Sequence, residues 1–229
     1  MSEETTIPQE STAGSMKMLR AMVGIGVLCA LLIVLTFEGT KPRIAKLRAE
    51  ALEQAIFKVL PGITKTKAYE FKGGSFVLSE GKDKTAELIY AGYSDAGEFV
   101  GVAIEAAGQG YADIIKVLYG YNPNTQKIIG FYVLESKETP GLGDKIEKDD
   151  NFLANFKGLD VNLNEALNAL VNVVIPVKTG EKNNPWEVEG ITGATISSRA
   201  IGNLLDVSAQ KWAPIIFQKQ SDFESKSTE

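Results

Sequence analysis

The chain of 229 residues is 44% hydrophobic and 23% charged, with a formal net charge of −5 and no histidine. This suits one globular domain plus one greasy segment. It also excludes whole classes of chemistry, because haem, iron–sulfur and zinc sites draw on His or Cys, and Ser–His or Cys–His nucleophile pairs need a histidine. The single cysteine, Cys29, lies inside an apolar run and has no intrachain partner for a disulfide. Neither metal ligands nor catalytic residues are expected, so a redox role would require an organic cofactor. Both signs of charge are spread without a basic stripe, and nucleic acid is not an expected partner.

Residues 1–15 are polar and aperiodic and read as a mobile tail. Ala21 to Phe37 is an uncharged run of 17 residues bounded by Arg20 and Glu38, which as a helix spans roughly 25 Å, near the lower limit for a bilayer core. Residues 16–40 are therefore read as a retained transmembrane anchor: no small-x-small cleavage pattern comes after the run, and Leu28 before Cys29 argues against a lipoprotein signal. Lys17 and Arg20 precede the span while Lys41, Arg43, Lys46 and Arg48 lie beyond it. A literal charge count thus opposes export of the C-terminal domain, although long domains translocate largely regardless of it. Ile44, Leu47, Ala51, Ala55 and Val59 recur at helical spacing, giving a juxtamembrane helix over 41–62 that ends at Pro61-Gly62.

Strand patterns begin at Ala86: AELIYAGY, EFVGVAIEA, DIIKVLYGY, a turn at Asn122-Pro123-Asn124-Thr125, and KIIGFYVLE. The last two flank a Pro/Asn turn with β-branched and aromatic residues and predict a hairpin. A short helix is expected near Phe152 to Phe156, and NEALNALVNVV fits helix and strand alike. Ser197 or Ser198 can cap a helix carrying Ile201, Leu204, Leu205, Ser208 and Trp212 on one face and stopping near Pro214. Residues 63–218 form the folded domain and 219–229 a second mobile tail. The fold class is α+β, a mostly antiparallel sheet with packed helices, preceded by one N-terminal transmembrane helix.

Two segments stand out. In Glu138-Thr139-Pro140-Gly141-Leu142-Gly143, directly after the hairpin, Pro140 presets a turn while Gly141 and Gly143 permit positive φ and close backbone approach, so a ligand can lie against the main chain. A purely structural turn has the same composition. In Glu189-Gly190-Ile191-Thr192-Gly193-Ala194-Thr195, a small-residue loop feeds a helix N-terminus, where unsatisfied N–H groups and the helix dipole form a seat for phosphate. The Thr195 hydroxyl can cap that helix, hydrogen-bond a phosphate, or be joined to one.

The pair of segments resembles the FMN-binding domain family. Thr192-Gly193-Ala194-Thr195, with an acidic residue three positions before Thr192, is similar to the family's flavinylation motif, and Glu138 to Ile146 is similar to its second signature. Both motifs after one N-terminal span resemble the G subunits of Rnf ion-translocating electron-transport complexes, over the stretch from the anchor to about Trp212. The resemblance implies FMN joined by a phosphoester to Thr195, attached by a flavin transferase with FAD as donor. It implies further that Thr139 and Leu142 approach the flavin beside Gly141, and that Gly193 and Ala194 leave room around the phosphate. Glu189 stands where the family usually has Asp, one methylene longer. Tyr111, Tyr119, Tyr121 and Trp186 are candidates to shield the ring, each equally suited to core packing.

The implied protein is an electron carrier with no autonomous reaction, anchored in the bacterial cytoplasmic membrane with its domain on the periplasmic or extracellular side. Its implied partners are the other subunits of the complex, the transferase and membrane lipid. Three alternatives remain: the related C subunit of a sodium-pumping NADH:quinone oxidoreductase, a membrane-tethered flavoprotein for extracellular electron transfer, and a cofactor-free assembly module. The single uncharged span encloses no ion path, so translocation would belong to partner subunits. Nicotinamide binding is not expected, since Gly24-Ile25-Gly26 lies within the span.

Overall fold

The computed structural model describes residues 12–79 and 87–224. The chain divides into two compact units, Met1–Glu50 and Ala51–Glu229. The first contains most of helix α1, Thr12–Val59, and this helix is long and apolar enough to cross a membrane. Within the first unit its apolar side chains, among them Ile25, Leu28, Leu32 and Phe37, are exposed. The hydroxyls of Thr36 and Thr40 donate back to the carbonyls of Leu32 at 2.7 Å and Thr36 at 2.8 Å, which satisfies polar groups in a stretch that lipid would surround. Two boundaries differ from expectation. Residues 12–15 are helical rather than part of a tail, and the anchor and juxtamembrane helix are one element that runs through Pro42. Residues 1–11 of the expected tail lie outside the described residues.

The second unit is built on a seven-stranded antiparallel sheet of order β2-β1-β3-β4-β5-β6-β7. The strands are β1 Lys65–Lys72, β2 Ser75–Leu78, β3 Leu88–Tyr93, β4 Phe99–Gln109, β5 Ile114–Asn122, β6 Lys127–Glu135 and β7 Leu159–Asp160. The hairpin predicted from DIIKVLYGY and KIIGFYVLE is β5 and β6, its turn held by the Asn122 side chain, which accepts from the N–H groups of Asn124 and Thr125. Strands β1 and β2 were not expected. Lys65, Lys67 and Lys72 interrupt the apolar pattern of β1, and β2 is only four residues long, because the pair lies at the outer edge of the sheet and meets water. Ala86 lies outside the described residues.

Alternation along the strands makes two cores. Val102, Ile104, Val117 and Tyr119 face helix α3, Thr195–Gln218. Ala103 and Leu118 face the other way, onto Ala55, Ile56, Val59 and Leu60 at the end of α1. On that second face four adjacent strands each contribute a glycine, Gly92, Gly101, Gly120 and Gly130, with Gly92 opposite Gly101 and Gly120 opposite Gly130. A Cβ on Gly120 or Gly130 would strike the Val59 carbonyl, and one on Gly92 would meet Ile63 at 2.7 Å. The helix end therefore rests directly on sheet backbone, and the chain leaves it through Gly62 at φ +87°.

Three further corrections concern the C-terminal half. Residues 164–174 are neither helix nor strand: the Asn164 side chain closes a turn by accepting from Asn168 N–H at 3.1 Å, and a short parallel pair, β8 Ile175–Val177 with β9 Glu187–Glu189, comes next. Helix α3 passes Pro214 and ends at Gln218 because Ala213, Pro214 and Ile216 are buried, and this packing outweighs the hydrogen bond that proline forfeits. Residues 219–224, expected as tail, include helix α4, Ser221–Glu224. Phe223 is fully buried with its ring 4.7 Å from Phe76 and 5.1 Å from both Tyr69 and Phe99, and its carbonyl accepts from the Tyr93 hydroxyl at 2.9 Å. Residues 225–229 lie outside the described residues. The expected short helix is present as α2, Asp150–Ala154, capped by Asp149.

Both the aromatic cluster and the glycine row bear on stability. Phe223→Ala should cost about 3–5 kcal/mol by emptying the cluster, measured by denaturant unfolding. Gly120→Ala adds one methyl against the Val59 carbonyl and should cost about 1–3 kcal/mol, seen as a lower thermal midpoint.

Candidate functional site

The loop after β6 folds back on itself within a few residues. The Leu142 N–H donates to the Thr139 carbonyl at 3.1 Å, Gly141 adopts φ +78°, and its N–H donates to Asp144 Oδ1 at 2.7 Å. A 3-10 turn, Gly143–Glu147, completes the segment. Lys148 sits 2.8 Å from Asp144 Oδ2. This partner, with the Gly141 N–H adding to it, holds the Asp144 carboxyl below the ordinary carboxylate range.

The second loop leaves β9 and enters α3. Gly193 takes φ +85° and Ala194 N–H donates to the Ile191 carbonyl at 3.0 Å. The N-cap is Ala194, with no side-chain cap. Neither Ser197 nor Ser198 caps the helix. Ser198 Oγ accepts from Ile191 N–H at 3.2 Å and donates to the Ala194 carbonyl at 2.9 Å, pinning the loop from inside the first turn. Ser197 donates to Glu138. Thr195 is the first helical residue and is exposed. The N–H groups of Thr195, Ile196 and Ser197 precede any possible intrahelical acceptor.

These loops meet. Thr139, Leu142 and Gly143 from one, and Gly193, Ala194, Thr195 and Ile196 from the other, line a cavity of about 320 Å³ together with Tyr111, Glu138 and Ser197. Its mouth is apolar: Tyr111, Leu142 and Ile196 are all more than half exposed. Among the described residues no lysine or arginine lines it, and the one carboxylate that does, Glu138, is buried. An anion here would be met by backbone N–H groups and the positive end of α3.

The sequence-expected residues divide. Thr139, Leu142, Gly193, Ala194 and Thr195 share this cavity, whereas Glu189 and Thr192 line a neighbouring one of about 430 Å³ with Lys145, Asp149 and Thr179. There the Glu189 carboxylate accepts from Gly180 N–H and Asn155 brackets its backbone, donating to the Glu189 carbonyl and accepting from its N–H. Thr192 Oγ1 donates to Thr179 Oγ1 at 3.1 Å. Gly141 lines neither cavity and serves the turn. Of the four candidate aromatics only Tyr111 reaches the first cavity, while Tyr119 and Tyr121 are core residues, the former bonded to Ser208 Oγ at 2.8 Å. Nothing in the sequence pattern marks Glu138, Ser197 or Ile196 for this cavity; Glu138 and Ser197 are 59 positions apart, and only the fold brings them together.

The FMN-binding domain family matches residues 110–209, which hold both loops. The chain is 32% identical over 200 residues to the G subunit of the ion-translocating oxidoreductase complex of Methanosarcina acetivorans, covering 85% of this chain and 95% of that one. It is 31% identical over 190 residues to the G subunit of the Na(+)-translocating ferredoxin:NAD(+) oxidoreductase complex of Acetobacterium woodii, covering 81% and 86%. The chain belongs to the family of G subunits of ion-translocating oxidoreductase complexes. Its fold is similar to that of Shewanella oneidensis NqrC, with a TM-score of 0.60 at 17% identity over 79% of this chain and 98% of that one. It is likewise similar to the C subunit of the Na(+)-translocating NADH-quinone reductase of Parabacteroides distasonis, with a TM-score of 0.58 at 19% identity over 76% and 96%.

For this member of the G-subunit family the lowered Asp144 pKa carries a sign. A carboxylate depressed in the folded state contributes order above its unfolded pKa and loses it as pH falls through the folded value. The Gly141 amide resonance should therefore titrate with its midpoint below the ordinary Asp value of about 3.9, and Asp144→Asn should abolish the titration.

Proposed function

We propose that this chain is the electron-carrying subunit of a membrane-bound ion-translocating oxidoreductase complex, and that it holds FMN by a phosphoester to Thr195. The observation that carries the reading is the position of Thr195: an exposed residue at the start of α3, in one cavity with the proline–glycine loop. Among the described residues its hydroxyl neither caps the helix nor has a hydrogen-bond partner, which leaves it available for modification.

The residues present fit a flavin. The three N–H groups at the start of α3 suit the phosphate, Ala194 and Gly193 keep side-chain bulk away from it, and Tyr111, Leu142 and Ile196 offer apolar contact to a flat ring. Bound FMN supplies one- and two-electron transfer without any metal ligand, in keeping with a chain that has no histidine. In maturation the Thr195 hydroxyl gives up its proton and accepts the FMN phosphoryl group of FAD, with AMP leaving, under a flavin transferase. Attachment through the phosphate leaves the ring unaltered and prevents loss of the cofactor. Helix α1 anchors the protein by a single pass in the cytoplasmic membrane, with the domain on the outer side among the other subunits. Ion movement belongs to those subunits, since the span of α1 from Ala21 to Phe37 carries no charge.

Intact-mass spectrometry after co-expression with a flavin transferase tests this directly. Wild type should gain the mass of FMN less water and fluoresce as a flavoprotein in a denaturing gel, and Thr195→Ala should show neither. A wild type left unmodified by an active transferase, or a Thr195→Ala variant that still carries the mass, would overturn the reading.

A further inference from the structure

Among the described residues of the domain two carboxylates are buried, and their surroundings differ. Glu70 pairs with Lys72 and accepts from Ser79 at 2.5 Å, at the outer end of the sheet. Glu138 is 6% exposed and, among the described residues, no cation pairs with it. The adjacent Lys137 is exposed and turned to Asp113 at 2.5 Å. A buried carboxylate is costly unless its oxygens are hydrogen-bonded. Here the donors come from separate parts of the chain. Oε1 accepts from Ala112 N–H, in the β4–β5 connection, at 3.0 Å, and Oε2 accepts from the Ser197 hydroxyl in the first turn of α3. Space for both oxygens is reserved by glycines: a Cβ on Gly110 would lie 2.5 Å from Oε1, and one on Gly143 would lie 2.5 Å from Oε2.

Resting on the flavin reading, we propose that Glu138 is the positioning residue of the cavity. Its carboxylate ties the proline–glycine loop and the β4–β5 connection to the N-terminus of α3, so that Tyr111, Leu142 and Thr195 present one ligand with a fixed set of walls. The tie acts through hydrogen bonds, not through a neutralising partner. A glutamine can reproduce it, its amide oxygen accepting from Ala112 and its NH₂ donating to Ser197 Oγ. An alanine cannot.

The test is amide hydrogen exchange on the full chain in detergent, without flavin, comparing wild type with Glu138→Ala, Glu138→Gln and Ser197→Ala. In Glu138→Ala the segments 110–113, 139–143 and 198–200, the last beginning with the Ser198 amide that donates to the Ala194 carbonyl, should exchange faster together, by roughly tenfold, as expected for losing a buried hydrogen-bonded charge. Ser197→Ala should reproduce the effect in the last two segments, and Glu138→Gln should restore wild-type protection. Unchanged exchange in Glu138→Ala, or an equal rise throughout β5 and β6 that marks general destabilisation, would overturn the proposal. In flavin-loaded protein, iodide should quench the flavin of Glu138→Ala more strongly than that of wild type or Glu138→Gln, and equal quenching would count against it. A wild type that takes no flavin at Thr195 would sink the flavin reading alone, because the exchange experiment still decides whether Glu138 holds the loops.

Discussion

The domain depends on a close approach between a helix end and a sheet. Leu60 and Val59 lie on a row of four glycines contributed by β3, β4, β5 and β6, and any side chain on Gly120 or Gly130 would displace the Val59 carbonyl. Glycine in a strand weakens it, through lost packing and greater unfolded-state entropy, so the row is a local cost offset by burial of Ala55, Ile56, Val59 and Leu60. With one face covered this way, the other is left to α3. That helix packs along β4 and β8, and its N-terminus arrives where the chain leaving β6 makes its tight turn. Cavity geometry is therefore a consequence of how the two faces of one sheet are shared.

Among the described residues, the cavity is built with little charge on its walls. Its walls come from a turn rigidified by Gly141 and Asp144 and from a loop rigidified by Ser198. The side chains of Glu189 and Thr192 do their bonding on the far side of the second loop, against Gly180 and Thr179. A motif that reads as one ligand-binding string in sequence is thus two sets of side chains in space. One set faces the cavity, and the other fastens the loop to the turn after β8. On this geometry the extra methylene of Glu189 relative to Asp affects how the loop is fastened, and its carboxylate reaches Gly180 N–H.

Much of this was legible in the chain. KIIGFYVLE is β6 to the residue, because a half-buried strand beside a Pro/Asn turn carries a clear pattern. The meeting of the two glycine loops came from resemblance rather than from periodicity, since neither loop has any. The hidden features were of three kinds. Strands β1 and β2 alternate apolar and polar residues irregularly because they border solvent. Phe223 looks like a lone aromatic in a polar tail, and only the Tyr69, Phe76 and Phe99 rings that receive it give it meaning. Glu138 could not be distinguished from an ordinary turn residue, because its importance lies in donors 26 positions before it and 59 after it.

The charge balance of the cavity bears on why a covalent bond would suit this protein. A free phosphomonoester carries about −1.5 to −2 charges at neutral pH, and sites that hold one reversibly usually supply Lys or Arg. Here, among the described residues, no cation lines the cavity, and Glu138 places a carboxylate beside the helix N-terminus. Backbone N–H groups and a helix dipole contribute the equivalent of only about half a positive charge. Esterification to Thr195 removes one ionisable oxygen, leaving a phosphodiester with a single negative charge, which that partial charge matches far better. The covalent link thus does two things in the proposed carrier: it retains the cofactor, and it lowers the charge the site must accommodate, so that an acidic residue used to hold the loops together can stand close to a phosphate.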